Sequence, residues 1–377
     1  MNSELLHDKQ APILLDKNIE LRNKYIQDSI LLNLKTDGEK ITASKIEGNM
    51  DVLQIFTDKL EQNTWEEGLV YLRNKLNPYP YHLQFAYIQM LEKLVSNSLT
   101  VPDRANYLRT ILLELERIIS HIDILAKMLQ VISYPFIYSQ IIHMKLQIEK
   151  ILLDYFSQND KENRTILIGG LTCNLTQETI VDLKSIIIDL KEQAEKIHKK
   201  LAKNNVFKYL FKEAGFLSRE TALKYSLVGP LARSVGITDD VRKTDPYAAY
   251  GDVYFSIPVN DSCDLYGEIM VIFDEIKESV SIISQLLDKL PPGGIHQKIA
   301  DLEIPAKNVI TRIETPAGEM FCFIMSKNGS LATSPKVFRI TSPQKINIKG
   351  FLARLSGEAI ENLPLILSTI GEGWYVV

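Results

Sequence analysis

The stretch VPDRANYLRTILLELERIISHI, residues 101–122, decides the fold class. Between residues 103 and 131, Leu108, Ile111, Leu112, Leu115, Ile118, Ile119, Ile122 and Leu125 recur at helical spacing on one half of the segment, and charge occupies the other half. It reads as one long amphipathic helix. Residues 82–97, 136–157 and 177–203 repeat the pattern, the last ending in a basic run around Lys199-Lys200 that suits a helix C-terminus. Helices of this kind bury their apolar halves against one another, so a four-helix bundle is the expected core.

Toward the N-terminus, Asp51 to about Lys75 fits a further helix, stopped by Asn77-Pro78-Tyr79-Pro80, whose prolines cannot sit inside a helix. Within residues 29–47, SILLNLKT and EKITASKI read as two strands joined at Asp37-Gly38, a type I′ hairpin signal. The first 25 residues are polar and unpatterned and read as flexible. Toward the C-terminus, residues 226–262 are irregular, punctuated by Gly229-Pro230, Gly236, Pro246 and Pro258, and long ordered loops of this kind usually serve function. Residues 264–290 read as a long helix stopped by Pro291-Pro292-Gly293-Gly294, and Val309–Glu314, Met320–Ser326 and Val337–Ile340 as short strands. The expectation is an α+β fold, a long-helix bundle flanked by small N-terminal and C-terminal antiparallel β regions. After a flexible segment at 1–25, one domain spans 26–377: a β region (26–50), the helical bundle (51–225), the charged loop (226–262), the long helix (263–294), then a β region and C-terminal tail (295–377).

Composition narrows the function classes. With 43 basic and 47 acidic residues in 377, the formal charge of −4 argues against a nucleic-acid binder. No apolar run approaches the roughly 18 residues that span a bilayer, and MNSELLHDKQ lacks the pattern of a secretory signal, so an intracellular, non-transmembrane chain is expected. Cys173, Cys263 and Cys322 lie at least 59 residues apart, which leaves no CxxC pair for zinc, an iron–sulfur cluster or a redox dithiol. Each reads more simply as a small buried hydrophobe.

Four segments carry a family resemblance. VPDRANYLRTILLELERIISHI (101–122), GPLARSVGITDDVRKTDPYAAYGDVYFSIPV (229–259), the helix running to LLDKLPPGG (286–294), and IETPAGEMFCFI (313–324) followed by Arg339 and Thr341-Ser342-Pro343 occur in the order and spacing of one family. The chain resembles the family joining the large subunit of nickel–iron hydrogenases to the quinone-pocket, 49 kDa-type subunit of respiratory complex I. Within it, the likeness is strongest to the branch of energy-converting membrane-bound hydrogenases. The resemblance covers roughly residues 40–370 and implies a helical bundle packed against a smaller partner that holds the proximal iron–sulfur cluster.

The resemblance places the family's two CxxC windows on Leu76-Asn77-Pro78-Tyr79 and Gly373-Trp374-Tyr375-Val376, neither of which holds a cysteine. Nickel and low-spin iron need charged thiolate donors, so no metal is expected on this chain. The family's quinone-binding tyrosine falls on Asn77, with Tyr79, Tyr81 and His82 close by as candidate donors to an acceptor; the hairpin histidine is missing from 28–45. A family His-Arg-Gly reads Gln54-Ile55-Phe56, an acidic position reads Val131, and the arginine beyond Asp264 and Tyr266 reads Glu268.

His121 survives, and with Arg117 the resemblance implies that it faces the partner's cluster, where an imidazole donor would raise the cluster's potential. The plainer reading pairs His121 with Arg117 or Glu114 on the helix flank. The loop bearing Arg233, Asp239, Asp240, Arg242, Lys243 and Asp245 reads as a structural wall to the cavity, or more blandly as a solvated, self-paired loop. Cys263 stands where many relatives have glycine, and the apolar tail GWYVV is expected to dock inside the complex.

These features lead to a peripheral subunit on the cytoplasmic side of the membrane, in a complex I-like, NADH dehydrogenase-type oxidoreductase. Its cavity would receive an acceptor such as quinone beside a cluster held by a small iron–sulfur subunit. Antiporter-like and quinone-chamber-like membrane subunits complete the expected partners. Two other readings stand beside it: a redox-inactive assembly subunit, and more distantly a nickel–iron hydrogenase large subunit.

Overall fold

The segment read first is helical from Asp103 to Val131 in the computed structural model. The structure describes residues 14–24, 29–49, 51–72, 79–156, 165–298, 302–371 and 373–376. In chain order the elements are β1 (Leu15–Asn23), β2 (Ser29–Thr36), β3 (Ile41–Glu47), α1 (Val52–Gln62), α2 (Trp65–Leu72), α3 (Pro80–Leu94), α4 (Asp103–Val131) and α5 (Pro135–Ile151). A short hairpin, β4 (Ile166–Leu167) and β5 (Gly170–Leu171), precedes α6 (Gln177–Lys203), α7 (Asn205–Phe211), α8 (Arg219–Lys224), α9 (Gly229–Arg233), α10 (Val241–Thr244) and α11 (Leu265–Asp288). The chain ends with β6 (Glu303–Ile304), β7 (Asn308–Thr315), β8 (Gly318–Met325), β9 (Gly329–Ser330), β10 (Val337–Thr341), α12 (Pro343–Leu355), α13 (Leu363–Leu367) and β11 (Trp374–Val376).

The bundle closes through α4, α5, α6 and α11, each packed on the next. Its fourth member is therefore the 265–288 helix and not the 82–97 helix expected from pattern. Helix α3 instead lies between α4 and strand β7, and its residues are buried on most sides, including His82 and Gln84. Pro80 occupies the first turn of α3, where its missing N–H costs nothing. The charged half of α4 is equally buried: Arg109, Glu114, Arg117 and His121 are almost without exposure.

Several expectations give way to the structure. The supposedly flexible N-terminal residues include β1, which pairs antiparallel with β2 over Leu15–Arg22 and with β11 over Leu21–Asn23. The C-terminal tail thus completes a β11-β1-β2-β3 sheet of this same chain, with Trp374 buried and Tyr375 and Val376 half exposed. The β2–β3 turn is a four-residue loop, since Thr36 pairs with Ile41. Gly38 has φ +101°, Asp37 is not in the left-handed region, and the Asp37 carboxylate accepts from the N–H groups of Glu39 (3.0 Å) and Lys40 (2.7 Å). That Asx geometry replaces the expected type I′ turn.

The helix expected from 51 to 75 divides at Asn63-Thr64. Thr64 Oγ1 accepts from the Glu67 N–H (3.2 Å) and the Glu67 carboxylate accepts from the Thr64 N–H (2.8 Å), a capping box that starts a new helix. Helix α5 ends in a π turn over Leu152–Phe156. The loop at 226–262 contains α9 and α10, and the region after 295 contains α12 and α13 as well as the β10-β8-β7 sheet. Arg109 locks the β4–β5 hairpin to the bundle: its Nη1 and Nη2 donate to Glu92 (3.0 and 2.7 Å), and Nη2 also to the carbonyls of Leu167 (2.7 Å) and Gly170 (3.2 Å).

Candidate functional site

Two features converge where α4, α11, α12 and the 229–245 segment meet: a buried ionic network, and beside it a small apolar cavity.

The network begins at Arg233, the last residue of α9. Its Nη1 donates to Glu275 Oε1 (2.5 Å), and its Nη2 to Glu314 Oε1 (2.5 Å), Asp240 Oδ2 (3.0 Å) and the Asp239 carbonyl (2.9 Å). Asp240 caps α10 through the Arg242 N–H and also receives the Arg242 side chain (Nη2 to Oδ2, 2.7 Å). Arg242 Nη1 donates to Glu114 Oε1 (3.0 Å), which also accepts the Tyr250 hydroxyl (2.5 Å). Arg117 lies 3.5 Å from Glu114 and donates to the carbonyls of Glu314 and Thr315. His121 Nε2 donates to Glu275 Oε2 (2.7 Å). All of these side chains are buried, so Arg233, Asp240 and Arg242 of the 229–245 segment lie inside the protein, paired with one another and also with Glu114, Glu275 and Glu314 of other elements. Asp239, Lys243 and Asp245 remain exposed and outside it.

Three guanidinium groups here face four carboxylates, which leaves one negative charge in excess in a region with little water. The proton affinities follow. Burial opposes ionisation of Glu114 and Asp240, but the guanidinium groups together outweigh it, Arg242 with Arg117 at Glu114 and Arg242 with Arg233 at Asp240, and hold each near 2. Arg233 and His121 hold Glu275 lower still. Glu314 bears the excess: burial, reinforced by the Asp240 carboxylate, raises it to about 7 against the pull of Arg233. Burial lowers the proton affinity of His121, against Glu275.

The second paired histidine is His82, near the start of α3. Glu116 of α4 accepts from the N–H groups of Tyr81 and His82 (2.9 Å each) and from His82 Nδ1 (2.6 Å), so a carboxylate from one helix caps the N-terminus of another. His82 is fully buried, and burial lowers its proton affinity.

The cavity, about 70 Å³, is walled by Ile124, Pro230, Leu231, Pro316, Ile348 and Phe351, with Tyr79 on one side and Thr369, Ile370 and Gly371 on another. It therefore lies between the end of the first window and the chain stretch that precedes the second. Leu76, Asn77 and Pro78, and the side chains of Gln54, Ile55 and Phe56, lie outside the described residues. Tyr79 is buried, and its hydroxyl accepts from Gln344 Nε2 (2.6 Å). Of the three expected donors only Tyr79 lines the cavity; Tyr81 and His82 are held against Glu116 instead. His121 and Arg117 sit in the ionic network without exposure.

Two residues that pattern did not single out as a pair share the cavity wall. Arg354 of α12 donates from Nη1 to Glu268 of α11 (2.7 Å) and to Thr369 Oγ1 (3.3 Å). The charge reversal at position 268 is thus answered by an arginine across the cavity. The cavity lining supplies no thiolate, and its one carboxylate is bound to Arg354, so this donor set does not fit a nickel–iron centre. No helix of the described residues is long and apolar enough to cross a membrane.

This arrangement is an α+β fold, a helical bundle with a C-terminal antiparallel sheet around an internal ionic network. Residues 160–302 match the family model "Respiratory-chain NADH dehydrogenase, 49 Kd subunit". The chain is 31% identical to the D-type subunit of NADH-quinone oxidoreductase from Dehalococcoides mccartyi, over 90% of this chain and 91% of that protein. It is 30% identical to the corresponding D-type subunit from Desulfitobacterium hafniense, over 99% and 95%. A chain in the structure of the membrane-bound sulfane sulfur reductase, described as an archaeal respiratory membrane complex, superposes with TM-score 0.83 at 20% identity, covering 96% of this chain and 98% of that one. The chain belongs to the family of the 49 kDa subunit of respiratory-chain NADH dehydrogenase, which includes the D-type subunits of bacterial NADH-quinone oxidoreductases.

Proposed function

We propose that the chain is a peripheral subunit of a membrane-bound, complex I-like oxidoreductase. It forms the acceptor cavity next to an iron–sulfur cluster held by a small partner subunit and carries no redox group of its own. The observation that carries this reading is the cavity at Tyr79 and Thr369–Gly371, the place between the two windows where relatives with thiolates would hold a metal. Electrons then come from the partner's cluster, and this chain supplies position, a low dielectric and hydrogen-bond donors. Tyr79, whose hydroxyl accepts from Gln344, is the phenolic donor on the cavity wall. His121 and Arg117, being buried, act on a neighbouring cluster through the field of the network and not by direct contact.

The size of the cavity favours a second reading. About 70 Å³ is roughly half of the ~150 Å³ apolar cavity that accepts benzene, so a substituted ring does not fit whole, and a closed, assembly-only subunit is the alternative. Ile348→Trp, which fills the cavity without touching the network, separates the two. In the purified complex the acceptor reading expects the cluster to remain reducible by electron paramagnetic resonance while acceptor turnover falls at least about tenfold. Unchanged turnover leaves the assembly role.

A further inference from the structure

We propose that Arg354 is the anchoring hydrogen-bond donor for the acceptor, and that the ligand class it selects is a neutral molecule presenting a carbonyl oxygen, as a quinone does. The inference rests on the acceptor reading above and deepens it.

Arg354 is 2 % exposed and lines the cavity, yet only its Nη1 is used; Nε and Nη2 have no hydrogen-bond partner among the described residues. A guanidinium has five N–H donors in a rigid fork, and buried donors almost always find acceptors. Two bare nitrogens on one buried arginine beside an empty space are what an acceptor atom yet to arrive would require. The rest of the lining, Ile124, Pro230, Leu231, Ile348 and Phe351 among it, offers that atom no competing charge.

The pairing with Glu268 decides the ligand's charge. The Glu268–Arg354 bridge at 2.7 Å is already neutral as a pair. A full anion would leave one uncompensated negative charge in an apolar cavity, which burial penalises heavily. A carbonyl oxygen satisfies the bare donors and adds no net charge. When electrons from the partner's cluster reach the ligand, negative charge develops on that oxygen, and a guanidinium already in place stabilises it without reorganisation. The volume fits this mode, since about 70 Å³ takes the carbonyl edge of a ring and leaves the remainder outside.

The test uses the assembled complex with menadione as the neutral carbonyl probe and thiosulfate as the small anion. Arg354→Gln removes the charge and the guanidinium fork, Arg354→Lys keeps the charge opposite Glu268 but not the fork, and Ile348→Trp serves as the cavity block. Assembly and cluster signal verify that each variant folds. The proposal expects both Arg354 variants to raise the menadione KM about tenfold or more, the loss of one good hydrogen bond, with the cluster still reducible and thiosulfate without effect as a competitor. If Ile348→Trp abolishes turnover while both Arg354 variants keep the wild-type KM, the acceptor reading stands and the role of Arg354 is overturned. If thiosulfate competes with menadione and its effect disappears in Arg354→Gln, the neutral-ligand assignment is overturned. If none of the three variants changes turnover, the reading and the inference fall together.

Discussion

Substituting Glu314 by glutamine tests the charge count of the buried network. Glu314 is the carboxyl for which three guanidinium groups leave no full counter-charge, and its proton affinity is raised from 4.5 to about 7. Deprotonating it in the folded chain therefore costs about 3 kcal/mol more than in the unfolded chain. For a group raised on folding, the stabilisation is complete below about pH 4.5 and is lost as pH rises through about 7. Glutamine imitates the protonated form and does not titrate. The difference in unfolding free energy, Glu314→Gln minus wild type, should thus climb by about 3 kcal/mol in favour of the variant between pH 4.5 and 8. Taking the difference at each pH cancels the other titrating groups, including His82 and His121. Urea unfolding of the full-length chain followed by tryptophan fluorescence at five or so pH values measures it. A difference that stays flat across this range refutes the argument, because Glu314 would then be ionised throughout like its neighbours.

Other outcomes follow from single contacts. Arg109→Ala, which strands Glu92 and frees the carbonyls of Leu167 and Gly170, should lower stability by about 3–5 kcal/mol and expose the 165–171 hairpin to proteolysis. Cys263 has φ +60°, so Cys263→Gly should leave stability unchanged or raise it by about 1 kcal/mol in chemical denaturation, the strain of a left-handed non-glycine residue being removed. Gly229→Ala would drive a Cβ to 2.2 Å from the Ala317 carbonyl at φ +68°, pushing apart two cavity walls; a loss of about 1–3 kcal/mol and reduced acceptor turnover are expected. Trp374→Ala should cost about 3–5 kcal/mol and release the β1 edge, seen as faster amide exchange at Leu21–Asn23.

Much of the fold is legible in the sequence because its signals are local. The 3.6-residue period gave α4, α6 and α11 nearly to the residue, and strand alternation gave β2, β7 and β8. The capping box Thr64-Trp65-Glu66-Glu67 was equally visible and marks the α1–α2 break that apolar spacing alone runs through. What escaped is what depends on distance along the chain. β1 carries a modest alternation, Leu15, Ile19 and Leu21, but its order comes from β2 and from β11 more than 350 residues later. Which helix completes the bundle depends on α3 being claimed by β7, which no local pattern states.

The site divides in the same way. Arg233, Asp240 and Arg242 stood out as a dense run of charge, but the sequence does not reveal that Glu114, Glu275 and Glu314 arrive from three other elements to bury it. Tyr79 reached the cavity through its position before Pro80, whereas His82, two residues past that proline, is turned inward by Glu116. Position 268 looked like a broken feature until Arg354, 86 residues away, supplied the charge from the other wall.

The central claim is that the acceptor enters the space between Tyr79 and Thr369–Gly371. Photo-crosslinking of the assembled complex with an azido-substituted quinone, followed by peptide mapping, addresses it most directly. The account predicts label on Tyr79 and on residues 344–351 and 369–371 of this chain, suppressed by excess unlabelled quinone. Competable label confined to other subunits, with none on these segments, would contradict it.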